Sequence, residues 1–428
     1  MRKPKSEVMR ACVLVLCLAV AAPAEDPILT LSGSAGKPLA APRVAFNTVD
    51  RLYLAVFEFR YADGDWDIDG RVVDPNGQLV GQGLAVAWKG TVEQQEPDVA
   101  YNPVTNQFLV PYVVAPSGET TKISAAIVAG NGTPGPFVSI ATSTSCDEYH
   151  PAVACDPTTG EYLVAYEREY QLDKTIWREV WAQRVQRDGT LIGSPMQMSN
   201  PGTHSLECAV ACAGGQFLVV WSERTTSGKG RILGRVIQCG YPAKTTYTLA
   251  QTRDSIRPQV AYNPARAEYL VVYQTRTSTT ARWFIEGTRI NTIGESKGAA
   301  TITVPTDLHA KAPNVVCTPA DGQYVVTWAQ GAADDPCPLA AHQIMTQSVD
   351  GDGLPVGTPQ PVSAPAKSQP LNEGVPAPAL TAGICGNVLI VWEDQNQPNP
   401  TTTVYSIFGV HGTWGRFCCD PNCAAGQE

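Results

Sequence analysis

A six-residue motif, Pro-Arg-Val-Ala-Phe-Asn at residues 42–47, recurs along the chain at nearly even spacing. Clear copies begin at Pro97, Pro151 and Pro258, and degenerate copies begin at Cys208, Pro313 and Pro378. The seven starts lie 55, 54, 57, 50, 55 and 65 residues apart, which is within or just above the repeat length of propeller blades. Such a period predicts a repeat fold in which each unit buries its apolar surface against its neighbours.

The repeat that begins at Pro258 indicates four short strands. Proline opens the first strand, at residues 259–262, where it is tolerated. Residues 269–273, Tyr-Leu-Val-Val-Tyr, are almost all apolar, as expected of a strand buried on both faces. Residues 283–290 and 300–304 supply the third and fourth strands around a turn. Four antiparallel strands per unit form a propeller blade, so the sequence predicts an all-β, seven-bladed β-propeller.

In every repeat the second strand ends in an aromatic residue. These residues are Phe57, Tyr112, Tyr166, Trp221, Tyr273, Trp328 and Trp392. A stripe of aromatic rings could stack on sugars, but aromatic side chains dominate core packing. Because the position recurs in all seven repeats, we interpret the stripe as core between blades.

The two ends of the chain predict how the ring closes. Residues 28–32, Ile-Leu-Thr-Leu-Ser, form a lone strand before the first motif, and the seventh repeat has no clear fourth strand. An open ring would expose two sheet edges. We therefore expect residues 28–32 to act as a velcro strand completing the last blade. The propeller then occupies residues 25–417, and a cysteine-rich tail follows at 418–428.

Three features of the repeats resemble a known group of proteins. They are the Pro-x-Val-Ala-Tyr-Asn-Pro turn, the Tyr-Leu-Val-Val-Tyr strand and a third strand that ends in Asp-x-x-Gly. They resemble the repeats of TolB-type and related bacterial propellers. Residues 67–77 and the Ile-Leu-Gly-Arg segment at 232–235 are similar to repeats of uncharacterised exported bacterial proteins. The resemblance implies propeller architecture and export, and it carries over no catalytic residues.

The N-terminal residues predict export. Four basic residues within the first ten precede an apolar run at 11–22, and Ala-Pro-Ala at 22–24 gives a small-x-small cleavage pattern. This order is typical of a secretory signal peptide, which we assign to residues 1–24. The run is too short for a stable membrane anchor, and no other stretch reaches transmembrane length. We expect a secreted, periplasmic or cell-envelope protein without an integral membrane segment after signal removal.

The charge balance restricts the partners. Without residues 1–24 the chain has 27 basic and 39 acidic residues, a net charge of −12. Such a surface repels phosphate backbones and anionic lipid headgroups, which argues against nucleic acid as a partner. Protein and glycan ligands are compatible with it, and the sequence does not indicate an oligomeric state.

Export bears on how the cysteines pair. Eleven remain after residues 1–24 are removed, and export permits disulfides. Cys146 and Cys208 occupy corresponding places in neighbouring repeats, as do Cys317 and Cys385, which predicts disulfides between blades. The three cysteines of the tail are interpreted as a staple to the propeller body.

Alignment of the repeats brings charged residues to one position. The residues directly before the motif copies are Ala41, Glu96, His150, Glu207, Arg257, Ala312 and Ala377. In a propeller this position enters the innermost strands and rings one mouth of the central channel. Glu96, His150, Glu207 and Arg257, together with Glu167 from a second strand, are the candidate ligand-binding residues. This mixture suits acid–base chemistry or recognition of a polar ligand, but a polar, water-filled rim would have a similar composition.

Asp65, Asp67 and Asp69 are followed by Gly70. Alternating carboxylates closed by a glycine resemble the first half of a calcium loop, so calcium is a candidate cofactor at these three residues. No other repeat has this run. In the alternative interpretation the residues belong to a third strand and their carboxylates point to solvent.

The sequence contains no metalloprotease, nucleophile-elbow, phosphate-loop or dinucleotide motif. It therefore favours a non-enzymatic scaffold that binds a protein or glycan in the cell envelope or extracellular matrix. The alternative is a polysaccharide hydrolase or lyase with its site at the channel mouth.

Overall fold

The computed structural model describes residues 29–413 except 36, 91, 173, 226, 239–240, 244, 333–340, 364–365, 368–376, 384–385 and 400–401. The predicted signal peptide and the cysteine-rich tail lie outside the described residues. The described chain begins with strand β1 (Leu29–Ala35) and continues through consecutive antiparallel sheets. Its described residues include no helix with the length and apolar character needed to cross a membrane.

The first three sheets follow one another along the chain. Sheet 1 contains β2 (Leu39–Asn47), β3 (Leu52–Ala62), β4 (Asp65–Val73) and β5 (Leu79–Ala87). Sheet 2 contains β6 (Glu93–Gln95), β7 (Ala100–Asn102), β8 (Gln107–Ala115), β9 (Lys122–Ala129) and β10 (Pro134–Ala141). Sheet 3 contains β11 (Asp147–Cys155), β12 (Tyr162–Leu172), β13 (Thr175–Val185) and β14 (Leu191–Gln197).

The next two sheets repeat this order. Sheet 4 contains β15 (His204–Cys212), β16 (Gln216–Arg224), β17 (Gly230–Gln238), β18 (Tyr241–Pro242) and β19 (Tyr247–Ala250). Sheet 5 contains β20 (Asp254–Asn263), β21 (Glu268–Arg276), β22 (Phe284–Asn291) and β23 (Ser296–Thr301).

Two sheets complete the described chain. Sheet 6 contains β24 (His309–Thr318), β25 (Gln323–Gly331), β26 (Ala341–Val349), β27 (Pro355–Pro361) and β28 (Ala366–Lys367). Sheet 7 contains β29 (Ala379–Ala382), β30 (Asn387–Asn399) and β31 (Thr402–Thr413), and β1 pairs with β31 at its outer edge.

The sheets are arranged around a common axis. The first strand of each sheet contacts the first strand of the next, and β29 contacts both β24 of sheet 6 and β2 of sheet 1. Consecutive antiparallel sheets of four or five strands placed in this way are the architecture of a propeller. The prediction of an all-β propeller fold is therefore confirmed.

The apolar core lies between the sheets. One cluster joins Leu54 and Val56 of β3 to Phe108 of β8, and another joins Phe57 of β3 to Leu389 of β30. Each second strand thus packs against a neighbour on both faces, as its nearly continuous apolar sequence predicts. The seven second-strand aromatic residues are at most 5% exposed, so their interpretation as core is confirmed.

The asparagine that ends the motif explains why the motif recurs. Asn47, Asn102 and Asn263 are fully buried, and their side-chain oxygens accept hydrogen bonds from backbone N–H groups of the following turn. Their amide nitrogens donate to carbonyls of the next sheet, at 2.8 Å for Asn102 to Gly160 and 2.6 Å for Asn263 to Gly322. One side chain therefore closes a turn and links two sheets.

The described cysteines correct the disulfide prediction. Cys146, Cys155, Cys208, Cys212 and Cys317 are free thiols, so the predicted bridge between Cys146 and Cys208 is wrong. Cys208 is buried, and its thiol donates to the carbonyl oxygen of His150 at 3.6 Å. The predicted partner of Cys317, Cys385, lies outside the described residues.

Candidate ligand site at the channel mouth

The innermost strands share a backbone irregularity directly before the motif. Non-glycine residues there have positive φ, between 49° and 57°, at Ala41, Glu96, His150, Glu207, Arg257 and Ala312. Strand pairing skips two residues at the same place in sheets 1, 3, 4, 5 and 6. A left-handed conformation costs a non-glycine residue about 1–2 kcal/mol, so the rest of the structure must stabilise these bulges.

The stabilising contact is a hydrogen bond to the preceding sheet. A bulge turns the backbone N–H out of the strand ladder, and a side chain on the second strand of the preceding sheet accepts it. Glu58 accepts from the N–H of Glu96 at 2.6 Å, and Glu167 accepts from the N–H of Glu207 at 2.6 Å. Gln274 and Glu393 occupy the equivalent position and accept from Ala312 and Ala41.

Three sheets have no carboxyl or amide at that second-strand position, sheet 6 having Ala329 there, and in sheets 2 and 4 the bulge residue itself replaces it. Sheet 2 has Val113 there, and the side chain of Glu96 accepts from the N–H of His150 at 2.7 Å. Sheet 4 has Ser222 there, and the side chain of Glu207 accepts from the N–H of Arg257 at 2.8 Å. Carboxylates in the candidate set therefore link neighbouring sheets through the backbone.

The five candidate residues form one connected group, which we call the mouth cluster: Glu96, His150, Glu167, Glu207 and Arg257. The imidazole of His150 lies 3.3 Å from Glu96 Oε1 on one side and 3.3 Å from Glu167 Oε2 on the other. Arg257 Nε lies 3.4 Å from Glu207 Oε1. The bond from the Glu207 N–H to Glu167 joins the two halves.

Exposure separates the members of the mouth cluster. The side chains of Glu96, His150, Glu207 and Arg257 are 32%, 48%, 29% and 31% exposed, whereas that of Glu167 is 1% exposed. The first four side chains are accessible to a ligand. Glu167 lies behind them, so it can position His150 but cannot contact a ligand itself.

The charges of the cluster follow from these contacts. Burial opposes the charged imidazole of His150, but the carboxylates of Glu167 and Glu96 raise its pKa to about 9. Burial also opposes charge on Glu167, but His150 and Arg178 hold the pKa of that carboxyl below its ordinary value. The cluster therefore carries cations and anions in alternation along the ring at neutral pH.

Sequence alignment missed one member of this network. Arg178, on β13, lies 3.1 Å from Glu167 and 2.6 Å from Glu169, and its guanidinium stacks 5.2 Å from the ring of Tyr149. Its position directly across the strand pair from Glu169 was the available signal, because opposite charges often face each other on paired strands.

Glu58 differs from the other carboxyls of the ring. It is 3% exposed, and burial, together with the nearby carboxylates of Glu96 and Glu393, raises its pKa to about 8. The N–H of Glu96 and the guanidinium of Arg43 oppose this rise only in part. Glu58 is thus a buried carboxylic acid that is largely protonated at neutral pH.

The structure does not bring the three candidate calcium ligands to one point. Asp65, Asp67 and Asp69 lie on β4, a regular strand, and no group of three His, Cys, Asp or Glu side chains among the described residues is placed to hold a metal ion. Alternate residues of a strand are about 6.6 Å apart along its axis, whereas calcium requires oxygens within about 2.6 Å of one point. The alternative interpretation holds in that the three aspartates lie on a strand. The Asp67 carboxylate does not point freely to solvent, however, because Asp67 is only 8% exposed.

Comparison with known proteins gives similarity of overall shape alone. No family model and no curated protein sequence matches the chain. A protein of unknown function from Dyadobacter fermentans is 11% identical with a TM-score of 0.49, covering 75% of this chain and 96% of that one. Hadza microbial sialidase Hz136 is 13% identical with a TM-score of 0.49, covering 85% of this chain and 76% of that one.

A third similar structure is the α-L-arabinofuranosidase arb93a from Fusarium graminearum, which is 12% identical with a TM-score of 0.44 and covers 87% of this chain and 92% of that one. Similarity at this level assigns neither an activity nor a ligand to the chain. The TolB-type resemblance rests on the sequence motifs alone.

Proposed function

We propose that this protein is an exported, non-enzymatic propeller that binds a protein or glycan ligand at the mouth cluster, in the cell envelope or extracellular matrix. The proposal treats the seven sheets as the blades of one ring that β1 closes as a velcro strand, and it treats residues 1–24 as the export signal. It also places the chain near the TolB-type and uncharacterised exported bacterial propellers that its repeats resemble.

The observation that carries this proposal is the state of the mouth carboxylates. Glu96, Glu167 and Glu207 each accept a hydrogen bond from a backbone N–H of a neighbouring sheet. A glycosidase instead needs one carboxyl group that protonates the leaving oxygen and a second that attacks or activates water. Carboxylates that hold the ring together would have to break those bonds to do so.

The exposed groups favour a ligand that is polar but close to neutral. Glu96, His150, Glu207 and Arg257 present donors and acceptors on consecutive sheets, and each charge has an opposite charge within 3.4 Å. A strongly charged ligand would be attracted by one group and repelled by the next. Hydroxyl and amide groups of a glycan or a peptide backbone can bind to both kinds of group.

One observation favours the polysaccharide hydrolase or lyase as a second candidate. The raised pKa of Glu58, about 8, is a property that general acids share. Glu58 is nevertheless buried and already bonded to the N–H of Glu96, so a substrate would need a rearranged mouth to reach it.

A glycan array combined with pull-down from native envelope would test binding. Arg257→Ala and His150→Gln keep the backbone N–H that holds the bulge but remove ligand-facing groups, and we expect at least a roughly tenfold loss of the captured ligand. Arg184→Ala is a matched control, since Arg184 is 24% exposed and pairs with Glu161 on the same sheet. Turnover of a polysaccharide that disappears in Glu207→Gln would instead support the enzyme.

A further inference from the structure

A second group of carboxylates lies on sheet 1, which contributes no residue to the mouth cluster. In the β3–β4 pair, Phe59 is directly opposite Asp67, and Phe57 is directly opposite Asp69. Directly opposite residues point to the same face of a sheet, so aromatic rings and carboxylates alternate on that face. The hydroxyl of Tyr61 donates to Asp69 Oδ2 at 3.1 Å, and the rings of Phe59 and Tyr61 lie 4.5 Å apart.

The negative charge of this group is not compensated. Oδ1 of Asp65 and Oδ1 of Asp67 are buried without a hydrogen-bond partner, and Asp67 as a whole is 8% exposed. The ion pairs of the described residues include Asp63 with Arg60 at 2.6 Å but none with Asp65, Asp67 or Asp69. A buried, unpaired carboxylate is costly and needs an explanation.

The aromatic rings beside these carboxylates already accommodate a cation. Lys37 Nζ lies 5.8 Å from the ring centre of Phe59 and 5.6 Å from that of Tyr61. Tyr61 is 42% exposed, and Trp88, next to the Lys89 N–H that bonds to Asp67, is 64% exposed. Large aromatic rings next to unpaired negative charge attract an ammonium or guanidinium group.

A metal ion fits this arrangement less well than an organic cation. Within the described part of the chain no three His, Cys, Asp or Glu side chains converge on one point. The β3 residues paired with Asp67 and Asp69 are Phe59 and Phe57, whose rings offer no oxygen ligand to a hard cation. An alkylammonium or guanidinium group needs no such convergence, because it can contact a ring face and a carboxylate together.

We propose that Tyr61, Trp88 and the aspartates of β4 form a binding site for a lysine or arginine side chain presented by a protein partner. The site shares no residue with the mouth cluster, so either proposal can fail alone. In the unbound protein Lys37 occupies the ring face that the incoming cation would use. Binding therefore displaces Lys37 and places a positive charge beside Asp67.

Calorimetric titration of the full chain with a hexapeptide of alternating lysine and glycine, and with its glutamate counterpart, tests the proposal. Asp67→Asn keeps the shape of the side chain and removes its charge, so we expect the lysine peptide to bind about fivefold or more weakly. Lys37→Met removes the internal competitor, so we expect tighter binding. Asp63→Asn is the matched control, because Asp63 is fully exposed and paired with Arg60.

The outcomes separate the possibilities. Weaker binding by Asp67→Asn, tighter binding by Lys37→Met and little change by Asp63→Asn would support the site. Equal losses in Asp67→Asn and Asp63→Asn would show attraction to the acidic surface in general and overturn it. Tighter binding of spermine than of the lysine peptide would overturn the assignment to a protein partner, and saturable binding of calcium chloride alone would overturn the organic cation.

Discussion

The mouth cluster and the aspartates of β4 are both groups of partly buried carboxylates, but their partners differ. Every carboxylate of the mouth cluster accepts a hydrogen bond from a backbone N–H, and His150, Arg257 and the neighbouring Arg178 together balance the three negative charges. Asp65 and Asp67 each have a buried oxygen without a partner. The protein itself therefore supplies opposite charges to the carboxylates of the mouth cluster, but among its described residues it supplies none to the aspartates of β4.

This difference separates structural carboxylates from carboxylates available to a ligand. A buried charge that the fold itself pairs contributes to the shape of the ring, and its removal leaves its partners unsatisfied. A buried charge that the fold leaves unpaired destabilises the folded state until a partner arrives. The sign of the stability change on neutralisation should therefore differ between the two groups.

The largest effect is expected for Glu167→Ala. The substitution leaves the N–H of Glu207 without its acceptor and leaves His150 and Arg178 without a shared carboxylate. Breaking a buried ion pair costs about 3–5 kcal/mol, which urea unfolding monitored by tryptophan fluorescence would detect. Glu169→Ala removes the more exposed partner of Arg178, with a side chain 20% exposed against 1% for Glu167, and should cost less than about 1 kcal/mol. Equal midpoints for the two variants would contradict a structural role for Glu167.

The next largest effect is a change in pH dependence in Glu58→Gln. The pKa of Glu58, about 8, is above its ordinary value, so the folded state binds a proton that the unfolded chain loses near pH 4.5. This stabilisation is fully present below pH 4.5 and is lost as the pH rises to 8. We expect the wild type to lose about 2–4 kcal/mol across that range through this group.

In Glu58→Gln the amide oxygen still accepts from the N–H of Glu96, so that loss should disappear. Unfolding free energies at pH 5 and pH 8.5 measure it. His150, whose pKa is about 9, adds a smaller loss in the same direction between pH 6.5 and 9. A wild-type slope retained in Glu58→Gln would mean that Glu58 is ionised at neutral pH.

A smaller effect of opposite sign is expected for Asp67→Asn. Burial and the carboxylates of Asp65 and Asp69 raise the pKa of Asp67 to about 6, so its stabilising contribution is present below pH 3.8 and lost as the pH rises through 6. At pH 7.5 the variant should be more stable than the wild type by about 0.5–1.5 kcal/mol, and at pH 3.8 the two should be alike. Destabilisation at pH 7.5 would show that the fold compensates the charge of the Asp67 carboxylate.

The fold was predictable because strand signals and turn chemistry repeat with the motif. The sequence alone reveals the apolar second strands, such as the strand that contains Tyr273, and the aromatic residues that the structure buries there. Alignment also brought Glu96, His150, Glu207 and Arg257 to one position, because equivalent residues of a repeat occupy equivalent places.

The partners of these residues were not predictable. The N–H that Glu167 binds becomes available only through the bulge at Glu207, where φ is 57°, and a bulge at a non-glycine residue leaves no clear sequence signal. The aspartates of β4 show a related limit. Asp-x-Asp-x-Asp-Gly is compatible with a loop that wraps a cation and with a strand that separates the carboxylates, and the sequence does not distinguish the two.

The smallest effect is expected from calcium. A ligand that binds only the folded state stabilises it by about 2.7 kcal/mol at a hundredfold excess over its Kd, and a calcium loop at Asp65, Asp67 and Asp69 would raise the melting temperature accordingly. Because these residues lie along a strand and do not converge on one point, we expect calcium at millimolar concentration to act only as general ionic screening. Magnesium at equal ionic strength is the control, and thermal unfolding with each ion is the measurement. A rise in melting temperature with calcium that is absent with magnesium and lost in Asp67→Asn would establish the metal site. It would also show that β4 rearranges when the ion binds.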